Sequence, residues 1–179
     1  MSKLRLAVIG AGRMGSFHAK KLASMPDVEL AAVIDPNAEA AEALARSLGT
    51  VARTDYRPVL RALDAAVIAA PSCAHHAIAS ELLTAGVHVL VEKPMCPRRE
   101  QADELTSIAR RRGLVLHTGH VERFNPAFAA ARREIAAPTF VSARRESPYT
   151  FRSTDVGVVF DLMIHDLDLV LQLVGGPVQ

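Results

Sequence analysis

With 179 residues, half of them hydrophobic, the chain can bury one sizeable core or one core and part of a second, which excludes a disordered protein. Lys and Arg total 21 against 19 Asp and Glu, a near balance that argues against a general nucleic-acid or membrane-surface binder. The two cysteines, Cys73 and Cys96, show no disulfide or zinc spacing and predict a reduced, cytoplasmic setting, while no apolar run is long enough to span a bilayer.

Leu4 to Ile9 reads as a buried strand leading directly into Gly10-Ala11-Gly12-Arg13-Met14-Gly15, after which Met14, Phe17, His18, Lys21 and Leu22 recur at helical spacing. Strand, glycine turn and helix form a phosphate-binding device. Gly10 makes the tight turn, Gly12 admits a pyrophosphate, Gly15 lets helix and strand pack closely, and the helix start with Arg13 and Met14 offers N–H groups. A second strand, Glu29 to Ile34, ends in Asp35, twenty residues beyond Gly15. An acid there accepts the adenosine ribose hydroxyls and repels a 2′-phosphate, so NAD is expected rather than NADP. Asp35 as a turn or capping residue for a helix over Asn37 to Leu48 is the competing reading.

The alternation continues with a strand over Ala65 to Ala70, a helix from His75 to Ala85, a strand over Val87 to Val91, a helix from Pro97 to Arg112 and a strand over Leu114 to Thr118. This order predicts an α/β fold, a doubly wound parallel sheet with ligands at the carboxyl ends of its strands. Pro71 and His75 then flank the nicotinamide end of the dinucleotide, although His75 serves equally as an ordinary first-turn helix residue. Val89-Leu90-Val91 ends in Glu92-Lys93-Pro94 at the same edge, which places Lys93 at the centre of a candidate active site, with Pro94 fixing the backbone beyond it.

Past the fifth strand, His117 to Pro126 is a polar loop, followed by a short helix from Pro126 to Ile135, a strand over Thr139 to Arg145 and a loop over Glu146 to Val156. His117 and His120 with Asp161 or His165 invite a metal reading, but no binding signature is matched and no metal is expected. The last helix, Val158 to Val174, is apolar over most of its circumference and is expected to be buried on several sides. It carries Asp161 and His165 four apart on one face, which suits either a satisfied core pair or an acid/base pair acting with Lys93.

Taken together, Gly10 to Gly15, Glu92-Lys93-Pro94, Gly119-His120 through Asn125-Pro126 and Asp161-Leu162-Met163-Ile164-His165-Asp166 resemble the glucose-fructose oxidoreductase, inositol dehydrogenase and MocA family over essentially the whole chain. The runs His120 to Pro126 and Asp155 to Asp168 are most similar to its UDP-N-acetylglucosamine 3-dehydrogenase branch, whose members oxidise the sugar 3-hydroxyl. The resemblance implies an NAD-dependent sugar dehydrogenase with Lys93, Asp161 and His165 around the reacting carbon. It implies cofactor contacts from Gly10, Gly12, Arg13, Met14, Gly15, Asp35, Pro71, His75, Glu92 and Lys93. Substrate contacts are expected from Lys93, His120, Arg123, Asn125, Asp161 and His165. A Rossmann domain over 1–120 and the truncated start of an α+β C-terminal domain over 121–179 follow, with a nucleotide sugar or polyol as substrate, no nucleic acid or membrane partner, and a homo-oligomer. A truncated, non-catalytic NAD-binding or regulatory protein of the same fold is the rival reading.

Overall fold

The computed structural model describes residues 2–136, 138–146 and 157–175, which form two compact units, 1–118 and 119–179. In the first unit, short apolar runs alternate with helices. The strands are β1 (Leu4–Ile9), β2 (Val28–Ile34), β3 (Val51–Arg53), β4 (Ala65–Ile68), β5 (His88–Val91) and β6 (Leu116–Thr118). The helices are α1 (Arg13–Ala23), α2 (Ala38–Leu48), α3 (Ser72–Thr84) and α4 (Arg99–Arg112). All pairings are parallel and the strand order is β3-β2-β1-β4-β5-β6, the doubly wound Rossmann arrangement that the alternation predicts.

Side-chain parity sorts the two faces of the sheet. Ala7, Ile9, Ala32, Ile34, Ala66, Ile68, Val89 and Val91 pack against Ile78, Leu82 and Leu83 of α3 and Leu105 and Ile108 of α4. Val8, Val33 and Val67 point the other way, against Ala19 of α1 and Leu44 and Ala45 of α2. Leu82, Leu83 and Leu105 are wholly buried, so truncating any one to alanine costs about 2–5 kcal/mol. Glycines at φ +66 and +64, Gly49 and Gly113, terminate α2 and α4 in the left-handed conformation that frees the chain to return to the sheet.

The register places one row across the whole sheet. Arg53, Ile34, Ile9, Ile68, Val91 and Thr118 are successive neighbours, and each is the last residue of its strand. Every loop that leaves this edge therefore starts from a common line.

In the second unit, a 3-10 turn over Val121–Phe124 leads into α5 (Pro126–Glu134), which Asn125 caps by accepting from the Ala127 N–H at 3.0 Å. A π-helical turn, Val159–Met163, runs into α6 (Ile164–Val174), closed by Gly175 at φ +64. Arg123 holds the 3-10 turn to α6 through two bonds to the carboxylate of Asp168, which is buried. Arg145 pairs with Asp166 at 3.0 Å.

Two expectations change here. Thr139 to Arg145 is irregular rather than a strand, because a strand needs a neighbouring ladder for its N–H and C=O groups and none lies beside it among the described residues. The last helix is also less buried than its composition predicts: Phe160, Met163, Leu167, Leu171 and Val174 form an exposed apolar stripe, and Asp168 is the buried residue of α6. The expected loop after Glu146 lies outside the described residues through Val156.

Candidate functional site

The glycine turn occupies the carboxyl end of β1 in the middle of the sheet. Gly10 has φ +106 and donates its N–H to the Ile34 carbonyl at 2.7 Å, and a Cβ there would overlap the backbone of Ala69. At Gly15 a Cβ would overlap the Gly10 carbonyl, so α1 lies directly on the turn. Gly12 differs from both: a Cβ there would meet nothing within 4 Å. The space over Gly12 is open, and α1 begins beside it with no side-chain cap and no acidic residue in its first turn. Such a helix start presents N–H groups and a partial positive charge to an anion.

Asp35 follows β2 at the same edge. Its Oδ2 accepts from the Ala11 N–H at 2.7 Å and its Oδ1 from the Asn37 N–H at 2.8 Å, so the acid fixes the glycine turn from the side. The capping of α2 falls to Asn37, whose side chain accepts from the Ala40 N–H at 3.1 Å. The carboxylate is half-buried, leaving it lone pairs for hydroxyl donors. Open space at Gly12, an uncapped helix start and a half-buried acid one strand away fit a dinucleotide. Arg13 stacks its guanidinium over the Phe17 ring at 5.8 Å, and Met14 next to it is exposed.

Lys93 stands just past the end of β5 and is half-buried, between a buried Glu92 and a buried Pro94, with a cis peptide bond joining Lys93 to Pro94. The Glu92 N–H remains on the ladder, donating to the Ile68 carbonyl at 2.9 Å. Its carboxylate, only 7 % exposed, bonds the His18 Nε2 at 2.6 Å through Oε1 and accepts from the Lys93 N–H at 3.3 Å through Oε2. The His18 pairing crosses 74 residues of sequence and was not foreseen, since helical spacing marks His18 only as one residue on the face of α1.

Pro71 is exposed at the start of α3, whereas His75, one turn later, is 1 % exposed. Both ring nitrogens of His75 face backbone carbonyls, Nδ1 that of Pro94 at 2.9 Å and Nε2 that of Ala70 at 2.8 Å. The ring thus braces two loops at the strand ends. Cys96, nearby in sequence, is buried and its thiol is pushed up to about 11 by desolvation, with Glu104 adding to the shift, which suits packing and not nucleophilic work.

In the second unit, Asp161 lies in the π-helical turn and His165 in the first turn of α6, four residues apart and both half-buried. Arg123 has its guanidinium bound by Asp168, and the side-chain carbonyl of Asn125 is occupied as the cap of α5. His120 is half-buried just before the 3-10 turn. Among the described residues no group of three or more His, Cys, Asp or Glu side chains is placed to hold a metal ion, and no helix is long and apolar enough to cross a membrane.

The profile of an oxidoreductase family with an NAD-binding Rossmann fold, GFO_IDH_MocA, matches residues 4–120. The chain is 43% identical over 177 residues to UDP-N-acetylglucosamine 3-dehydrogenase from Acidithiobacillus ferrooxidans, covering 98% of this chain and 56% of that protein. It is 32% identical over 189 residues to scyllo-inositol 2-dehydrogenase (NAD(+)) from Bacillus subtilis, covering 98% of this chain and 55% of that one. A solved structure of the Acidithiobacillus enzyme superposes with a TM-score of 0.90, over 98% of this chain and 57% of its own. GenD2 from gentamicin A biosynthesis, solved in complex with NAD, superposes with a TM-score of 0.89 at 31% identity, over 99% of this chain and 55% of its own. The chain therefore spans a little over half the length of these relatives. Sequence motifs, strand order and these matches agree that the chain belongs to the Gfo/Idh/MocA family of oxidoreductases and carries its NAD-binding Rossmann fold.

Proposed function

We propose that this chain serves a dehydrogenase that moves a hydride from a secondary hydroxyl of a sugar to NAD, with the 3-hydroxyl of UDP-N-acetylglucosamine as the favoured position. The observation that carries the reading is the gathering of the glycine turn, Asp35 and Lys93 beyond one line of strand ends. The 43% identity to a UDP-N-acetylglucosamine 3-dehydrogenase supports the choice of sugar.

In this reading Gly10, Gly12, Gly15 and the N–H groups of Arg13 and Met14 cradle the pyrophosphate, and Asp35 takes the ribose hydroxyls. Bound NAD supplies the hydride acceptor. Lys93 hydrogen-bonds the reacting oxygen, His165 receives the hydroxyl proton, and Asp161 orients that histidine. Exchanging the roles of Lys93 and His165 balances the proton equally well. His75 and Pro71 act by shaping the loop after β4, and Glu92 by fixing Lys93. His120, Arg123 and Asn125 form the substrate-facing loop, in which Arg123 sets the loop's position through Asp168. A cytoplasmic homo-oligomer accords with the two free cysteines and the exposed apolar stripe on α6.

One rival reading is a chain that binds NAD without turnover. Absorbance of reduced nicotinamide, followed on mixing the chain with NAD and UDP-N-acetylglucosamine, separates the two. The dehydrogenase reading expects turnover that Lys93→Met removes, with the NAD dissociation constant within about threefold of the parent. Turnover that survives Lys93→Met, or NAD binding with no oxidation of any nucleotide sugar or polyol, refutes it.

A further inference from the structure

Lys93 is bracketed by two histidines that come from different helices. On its amino side, Glu92 is held by His18 of α1 at 2.6 Å, and the other carboxylate oxygen receives the Lys93 N–H at 3.3 Å. On its carboxyl side, the Pro94 carbonyl is held by His75 of α3 at 2.9 Å. Each helix is the one that follows a strand of the central row: α1 leaves the end of β1 and α3 the end of β4, the two strands that pair β2 and β5 into one sheet. A carboxylate buried to 7 % exposure needs its oxygens bonded, and His18 at 2.6 Å supplies the bond to Oε1. His75 faces two carbonyls, which only accept, so a neutral ring donates its one N–H to one of them while lying against both.

We propose that His18 is a positioning residue for Lys93: by fixing the Glu92 carboxylate against the Lys93 N–H, it sets where the lysine ammonium lies at the end of β5, and His75 fixes the backbone on the other side. The proposal rests on Lys93 being the group that bonds the reacting oxygen. The pairing gives α1 two tasks, since the helix whose first turn faces the phosphates also holds, from its second turn, the strand end that carries Lys93.

The test reads Lys93 directly. The chain has four lysines, Lys3, Lys20, Lys21 and Lys93, so selective ¹⁵N-lysine labelling gives four amide resonances, and Lys93→Arg identifies the relevant one. His18→Ala is expected to move the Lys93 amide resonance and to lower kcat by about 10–100-fold, with the NAD dissociation constant within about threefold. His18→Gln, which keeps a side-chain N–H donor, should recover part of both effects. Glu92→Gln should move the same resonance, and His18→Ala added to it should change little further, because the two residues act through one bond. A Lys93 amide unmoved by His18→Ala overturns the proposal, as do effects of His18→Ala and Glu92→Gln that simply add. If the parent chain shows no turnover, or if Lys93→Met retains it, the catalytic reading of Lys93 fails, while the amide resonance still decides whether His18 places that residue. His75→Gln is the second variant, expected to move the same resonance from the carboxyl side; because His75 is 1 % exposed, its thermal unfolding is measured alongside.

Discussion

Replacing Gly12 and Gly15 separately by alanine separates two jobs that lie three residues apart. The Cβ of Gly15→Ala overlaps the Gly10 carbonyl, a backbone atom that cannot swing aside, and Gly10 is itself pinned by its bond to Ile34 and by Ala69. Relief requires α1 to move off the sheet, away from the packing of Ala19 against Val8, and overpacking of this kind costs about 2–4 kcal/mol. For a chain of this size that is a fall of roughly 5–15 °C in Tm. The Cβ of Gly12→Ala meets no protein atom within 4 Å and the residue's φ of −68 is open to alanine, so only the poorer N-cap counts and stability should fall by about 0.5–1 kcal/mol. In the proposed reading the same methyl lies where a pyrophosphate has to approach the backbone, and NAD affinity should fall by about tenfold or more. Thermal unfolding and calorimetric titration with NAD read both quantities on both proteins. If Gly12→Ala binds NAD as the parent does, or if it unfolds as early as Gly15→Ala, the assignment of the open space to the phosphates is refuted.

Asp35→Ala removes an acceptor from the Ala11 and Asn37 N–H groups and, in the proposed reading, from the ribose, so NAD affinity should drop by roughly 10–100-fold and Tm should fall with it, whereas Asp35→Asn should keep most of the stability; calorimetry and thermal unfolding check both. At pH 8 iodoacetamide should alkylate the exposed Cys73 and spare Cys96, whose thiol at about 11 leaves about one molecule in a thousand as thiolate; raising the pH towards 10 should speed labelling of Cys96 about tenfold per unit, as peptide mass spectrometry would show. Arg123→Ala strands the buried Asp168 carboxylate and should cost about 2–4 kcal/mol within the second unit, seen as faster hydrogen exchange in 121–124 and 164–174, while the paired change of Arg123→Met with Asp168→Leu should recover much of it.

What the chain declares in its own residues is the part governed by local physics. Gly10, Gly12 and Gly15 are legible because they fall within one six-residue turn between a strand and a helix, and Asp35 because the strand before it ends one residue earlier. The parallel sheet follows from strands and helices that alternate along the chain. β3 was missed because three residues, Val51–Arg53, carry no periodicity, and only their pairing with Ala32 to Ile34 makes them a strand. The reverse error at Thr139 to Arg145 has the same cause: an extended, β-prone run becomes a strand only when a ladder is offered to it. The site divides in the same way. Lys93 is visible from the abrupt end of an apolar strand, but the bond from His18 to Glu92 spans 74 residues, and no window of sequence holds both partners. Arg123, expected from the resemblance as a substrate contact, is found on Asp168, 45 residues away, a pairing hidden for the same reason.

The row of residues at which all six strands stop is a fixed datum for length changes in this protein. Insertions beyond the datum after β3 or β6 lengthen a loop at small entropic cost and leave the glycine turn and Lys93 where they are. A single residue added or removed within β5 would instead exchange the sides of the sheet to which Glu92 and Lys93 belong, sending the carboxylate away from His18. Only changes of two residues preserve the sides, and those shift Lys93 by about 6–7 Å along the strand. This edge of the sheet is thus open to new loops after its outer strands and closed to adjustment of the strands beneath the glycine turn and Lys93.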